Sequence, residues 1–189
     1  MTGGIMENEY EIFMGALLKA TALIAPEFFD LQVASTDATI YRERVYCYEL
    51  YHQLRQTLPI GFPFTLQGEI DKRNHPIISK ACGAIKPDLL VHRPGDMENS
   101  NLVVVEVKSV TNVSQLKKDF KTLRCMTSLE NGYFRGISVL FGQNNDDPYN
   151  KAARLYKKHC ADATERIHLF FHKLPRNPIE RYIEEQQTP

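Results

Sequence analysis

Ile85-Lys86-Pro87-Asp88-Leu89-Leu90-Val91-His92, then Leu102-Val103-Val104-Val105-Glu106-Val107-Lys108: these two runs decide how the chain is read. Both are rich in Leu and Val and read as strands over Lys86–His92 and Leu102–Lys108. Between them Arg93-Pro94-Gly95-Asp96-Met97-Glu98-Asn99-Ser100-Asn101 is a turn-forming run, so the pair is expected to form a hairpin. Side chains alternate faces along a strand. Glu106 and Lys108 therefore share one face, and Val103, Val105 and Val107 take the other. If the hairpin is centred on Met97, His92 faces Leu102 and Asp88 faces Glu106. Opposed residues lie about 5 Å apart at Cβ. Two bare carboxylates at that distance repel and resist ionisation. A divalent cation removes the conflict, because Mg²⁺ takes one or two carboxylates plus waters and phosphate oxygens. Lys108 lies beside the same spot, where it can orient a water, lower its pKa or stabilise transition-state charge.

The segments around the hairpin set the fold class. Ile12, Phe13, Ala16, Leu17, Ala20 and Ile24 recur at helical spacing, so a helix is predicted over Glu9–Ile24, with Pro26 ending it or starting a turn. Phe28–Thr36 is ambiguous. Ser35, Thr36 and Asp37 offer caps for a helix over Ala38–Leu58. Phe64–Ile70 reads as a strand and Asp71–Lys80 as a loop. Ser114–Leu129 reads as a helix that Asn131-Gly132 terminates. Gly136–Gly142 reads as a short buried strand, Asn144–Pro148 as a loop, Asn150–Cys160 as a helix, Arg166–His172 as a strand and Ile179–Gln186 as a terminal helix. The order helix, strand, strand, strand, helix, strand predicts an α/β protein with a mixed sheet flanked by helices. The organisation expected is one domain over 1–189, with a core of about 38–142, an N-terminal helical extension (1–37) and a C-terminal helix-strand-helix extension (143–189).

Composition narrows the partners. The chain has 189 residues, 43% hydrophobic and 24% charged, with 23 basic and 23 acidic side chains. With no net charge, any pull on a polyanion must come from a local basic patch or a bound cation. Cys47, Cys82, Cys125 and Cys160 show no CxxC spacing and are expected to be buried reduced thiols of a cytoplasmic protein. The start carries Glu7, Glu9 and Glu11 and does not read as a secretory signal. No stretch approaches the roughly 18 apolar residues of a membrane span.

Pro87-Asp88 followed by Glu106-Val107-Lys108 resembles the motif of the PD-(D/E)xK nuclease superfamily, which includes many restriction enzymes, archaeal Holliday junction resolvases and repair exonucleases. The element order from Ala38 to Gly142 is similar to that superfamily's core, a restriction-endonuclease-like fold. The resemblance implies a Mg²⁺- or Mn²⁺-dependent endonuclease. Asp88 and Glu106, with Val107 between the acid and the lysine, form the metal set, and Lys108 is the catalytic lysine. Families of this kind often add a glutamate from the first core helix. Glu43 projects onto the stripe Cys47, Leu50, Tyr51, Leu54 and Leu58, where an acid is costly without a partner. Glu43 is therefore favoured, with Glu49 second. Glu69, ending the first strand, either lines the site or is solvated beside Lys72 and Arg73.

Nucleic-acid contacts are expected from Gln115, Lys118, Lys121, Lys72 and Arg73. Gln115 and Lys118 share one helix face, and Lys117, Lys121 and Arg124 another that could follow a DNA backbone. Lys151, Arg154, Lys157 and Lys158 read as a wet face, and His52, His75, His92 and His172 are given no role. The expected partner is DNA or RNA, with room for a homodimer and none for a membrane. The alternative reading is a nuclease-fold domain that binds nucleic acid or a protein without cutting. A third is an α/β interaction module in which the motif does nothing.

Overall fold

The computed structural model describes residues 2–73, 77–95, 100–143 and 146–183. Met97, His75 and the end of the expected terminal helix lie outside these. The protein is α/β, with helices on both faces of a mixed six-stranded sheet.

Helix α1 (Thr2–Ala22) starts earlier than its spacing suggested, because Met6 and Tyr10 continue the buried stripe of Phe13, Leu17 and Ala20. Pro26 opens a one-turn helix α2 (Pro26–Phe29), the position where its missing N–H costs least. Strands β1 (Leu31–Gln32) and β2 (Thr39–Ile40) pair as a small antiparallel hairpin. This corrects the cap reading of Ser35, Thr36 and Asp37. Ser35 has φ 63° in the turn, the Thr36 hydroxyl donates to Val33 O, and Ala38 N–H donates to Thr36 Oγ1. Local side-chain bonds of this kind compete with a helix start. Helix α3 (Glu43–Thr57) therefore begins five residues later than expected.

Then come β3 (Thr65–Gly68), a short helix α4 (Ile78–Cys82) where a loop was predicted, β4 (Leu89–His92) and β5 (Asn101–Ser109). A 3-10 stretch (Val110–Gln115) leads into α5 (Leu116–Ser128). Asn131 (φ 56°) and Gly132 close α5 as expected, with Gly132 N–H on Leu129 O and Tyr133 N–H on Met126 O. The chain continues through β6 (Arg135–Phe141), α6 (Asp147–Cys160), β7 (Ile167–His172) and β8 (Glu180–Arg181). The terminal helix predicted from Ile179 is corrected. Glu180 and Arg181 pair with Phe171 and Phe170 as an edge strand, so tertiary pairing overrides local helix propensity.

The strand order is β3-β4-β5-β6-β7-β8, antiparallel at both ends and parallel for β5-β6 and β6-β7. One core lies between the sheet and α1–α3, where Val103, Val105 and Val107 meet Leu50 and Leu54. The other lies under α5 and α6, where Val104 and Leu140 meet Leu116, Phe120 and Tyr156. Among the described residues no helix is long and apolar enough to cross a membrane.

The cysteines correct a further expectation. Cys82, ending α4, is disulfide-bonded to Cys125 in α5, while Cys47 and Cys160 are buried free thiols. Forty-three residues separate the bonded pair, so no local spacing could reveal it.

Two histidines of β7 are locked into the apolar layers. His168 (5% exposed) shares its Nδ1 with the Tyr10 hydroxyl at 2.6 Å, and His172 (0%) with the Tyr46 hydroxyl at 2.7 Å. Burial pulls both pKa values down to about 4. The folded state thus binds fewer protons than the unfolded one. Each histidine's contribution is full above pH ~6.5 and is lost as pH falls toward ~4, a loss of about 3 kcal/mol each. Buried carboxylates with raised pKa act in the opposite direction, so the effect is read as a difference. The urea-unfolding free energy of wild type minus that of His172→Asn is expected to shrink by about 3 kcal/mol between pH ~7 and ~4. A pH-independent difference would contradict it.

Candidate active site

Strands β4 and β5 pair through Leu89–Val105, Leu90–Val104 and Val91–Val103. One step further in that register Asp88 meets Glu106, and the two carboxyl groups are close enough for each to shift the other's pKa. The register slips at the other end. An irregularity between Val91 and His92 places His92 opposite Asn101, not opposite Leu102 as the centred hairpin predicted.

The backbone holds the Asp88 carboxylate in place. Val107 N–H donates to Asp88 Oδ2 at 2.7 Å. The Val107 side chain is fully buried in the core, so this residue reaches the site only through its main chain. Lys108 lies two residues beyond Glu106, with its side chain 13% exposed.

Glu43, the first residue of α3, reaches the end of β5. Its Oε2 accepts from Lys108 Nζ at 3.1 Å. Its Oε1 accepts from Ser109 N–H (3.1 Å), Ser109 Oγ (3.1 Å) and Asn112 Nδ2 (2.8 Å). Glu49 bonds instead to Gln53, one turn along its own helix. Glu69 bridges Arg44 at 3.2 Å and Lys86, and walls a cavity of about 390 Å3 with Tyr48, Tyr51 and Asp88.

A fourth carboxylate escaped the sequence reading. Asp119 of α5 is 6% exposed, with Oδ2 at 3.6 Å from Lys108 Nζ and without a hydrogen bond. The signal was present: Asp119 falls on the buried stripe of Leu116, Phe120 and Leu123. Like Glu43, it is an acid on an apolar stripe.

The charges are strongly coupled. Burial raises the Glu106 carboxyl well above the usual range, and the neighbouring Asp88 and Asp119 raise it further. Burial also raises Asp88, against the Val107 N–H and Lys108, which favour its ionised form. Burial pushes Asp119 up to about 6, with Lys108 opposing. For Glu43 burial is outweighed by Asn112, the Ser109 N–H and Lys108, and its pKa is lowered. Burial would lower Lys108, but Asp119 and Glu43 outweigh it and hold the ammonium. The site is thus one cation among four acids, of which Asp88 and Glu106 adjoin each other. Buried like charges this close are relieved by a proton or by a cation.

Among the described residues no group of three or more His, Cys, Asp or Glu side chains is arranged to hold a metal ion. What converges is a pair, Asp88 and Glu106. A pair suits Mg²⁺, which commonly keeps several waters and takes only one or two carboxylates. The unbonded Asp119 Oδ2 is a further acceptor in the same cluster.

The expected nucleic-acid residues divide into two groups. Gln115, Lys118 and Lys121 are exposed and line a groove of about 710 Å3 between α5 and α6. Lys72 is 7% exposed, its pKa lowered by burial, in a hollow with Ile70, Ile78 and Tyr133. Arg73 is exposed and pairs with Asp71 at 3.5 Å. Neither joins the α5 groove. His52 and His92 bond to Gln56 and Gln67. No protein-family model and no curated protein matches the chain.

Proposed function

We propose that this protein is a divalent-metal-dependent nuclease that hydrolyses phosphodiester bonds in DNA at the Asp88–Glu106–Lys108 cluster. The supporting observation is the adjoining pair of Asp88, half-buried, and Glu106, buried, beside a lysine held by two further acids. The order α3, β3, β4, β5, α5, β6 agrees with a restriction-endonuclease-like core, with α4 inserted before β4.

Asp88 and Glu106 would hold Mg²⁺ or Mn²⁺, with the Val107 carbonyl the only further ligand that residue could offer. When bound, the ion supplies charge stabilisation on the phosphate and lowers the pKa of the attacking water. The protein does the rest. Val107 N–H fixes the Asp88 carboxylate. Glu43 holds Lys108 from the α3 side and Asp119 from the α5 side, so the ammonium is positioned before substrate arrives. Held as a cation, Lys108 stabilises negative charge on the phosphate in the transition state and does not act as the base. Ser109 and Asn112 fix Glu43 and so set the lysine's height above β5.

A nuclease-fold domain that binds without cutting is the second reading. It is favoured by the absence of a converged three-ligand group among the described residues. One experiment separates the two. Mn²⁺ is titrated into the protein by calorimetry, and a supercoiled plasmid is assayed for nicking. Lys108→Met is expected to keep Mn²⁺ binding within a few-fold and to slow nicking by about 10²–10³. Wild-type protein that takes up no Mn²⁺ at millimolar concentration and leaves the plasmid intact would eliminate the nuclease reading.

A further inference from the structure

The chain carries no net charge, yet its cations are not evenly spread. The α5–α6 groove gathers Lys117, Lys118, Lys121 and Arg124 of α5 with Lys158 of α6, against one acid, Asp162. That acid is taken by Arg124 in a two-pronged ion pair, with Arg124 Nη2 to Asp162 Oδ2 at 2.8 Å. Lys117, Lys118, Lys121 and Lys158 are exposed and make no ion pair among the described residues.

Resting on the nuclease reading, we infer that this groove is the docking track for the sugar-phosphate backbone of duplex DNA, read without regard to base sequence. Three observations carry it. First, the row from Gln115 to Arg124 runs about 14 Å along α5. Laid along the duplex axis, where each strand places one phosphate per about 3.4 Å, it spans about four phosphates, facing Lys117, Lys118 and Lys121 in the row and Lys158 across the groove. Second, among the described residues the groove is lined by no Phe, Tyr or Trp. Single-stranded substrates are gripped largely by stacking bases on such rings, so this lining suits a backbone whose bases are paired and turned away. Third, the groove begins beside the cleavage cluster. Gln115 follows Asn112, which holds Glu43, by three residues, and Asp119 meets Lys108 from the same first turns of α5. Lys72 and Arg73 belong to a different part of the molecule and are outside the track.

The test measures binding of a short labelled duplex by fluorescence anisotropy in EDTA, where nothing is cut, over a range of salt concentrations. Lys118→Ala/Lys121→Ala/Lys158→Ala is expected to reduce the slope of log K against log salt by about 3, close to one unit per lysine. The control Lys19→Ala/Lys80→Ala/Lys151→Ala removes the same charge from exposed lysines outside the groove. It is expected to change the slope by less than about 1. A single strand of the same length should bind the wild type more weakly than the duplex. The inference is overturned if the groove triple binds as wild type does, if both triples lose the same amount, or if single strand and duplex bind alike. Its failure is distinct from failure of the nuclease reading. A protein that nicks plasmid in Mn²⁺ with groove-independent binding refutes the track alone. Groove-dependent duplex binding without nicking refutes only the enzyme.

Discussion

Glu106→Ala is expected to abolish divalent-cation binding and to slow phosphodiester cleavage by about a thousand-fold or more, while the protein stays folded. The expectation follows from the position of Glu106. It adjoins Asp88 and is 8% exposed within the acidic cluster. Removing it breaks the adjoining carboxylate pair and leaves only Asp88 of the two, too little to hold Mg²⁺ against its hydration shell. The fold should not suffer. A buried carboxyl whose pKa is raised in the folded state costs nothing below its unfolded pKa and destabilises increasingly as pH rises through its folded pKa. Alanine removes that cost, so the metal-free variant at neutral pH should unfold at the same or higher urea concentration than wild type. Calorimetric Mn²⁺ titration, plasmid nicking and urea unfolding read the three parts. Retained cleavage would sink the assignment of Glu106. Lost stability would mean that its carboxyl group is structural.

The second large effect concerns the Cys82–Cys125 disulfide. It closes a loop of about 43 residues around β4 and β5, for which the chain-entropy model gives about 4 kcal/mol of stabilisation. For a protein of this size that corresponds to about 8–16 °C in melting temperature. Reduction with dithiothreitol, or Cys125→Ser, is expected to lower the melting temperature by that amount. Cys47 and Cys160 are unaffected by either treatment, since both are already free and buried. Equal melting temperatures with and without reductant would contradict the prediction. The bond also bears on where the protein works. A reducing cytoplasm keeps thiols apart, so in that compartment the less stable, reduced form would be the working one.

The sequence made much of this site legible, and the physical reasons for the gaps differ. The Asp88–Glu106 pairing followed from strand alternation and the hairpin centre, because three consecutive pairs keep one register. The His92 partner did not follow, since the register slip between Val91 and His92 breaks the alternation that fixes the other pairs. Glu43 was legible as an acid on an apolar stripe. Asp119 satisfied the same criterion but is surrounded in sequence by Lys117, Lys118 and Lys121, which made its helix look like an evenly wet basic face. Lys72 reads as a loop cation, and only tertiary packing of Ile70 and Ile78 shows that it is buried. The disulfide and the β7–β8 pairing are contacts across long and short stretches of chain respectively. Neither has a local spacing that periodicity can detect.

The sheet's outer strands have a consequence for assembly. β3 has four residues and β8 two, so each flank offers little unpaired backbone. Short borders of this kind resist recruitment of a neighbour by strand addition, the route to fibrils and to sheet-extended pairs. Self-association of this protein, if selected, would have to recruit helical surfaces. The flank strands then act as a built-in stop against runaway polymerisation.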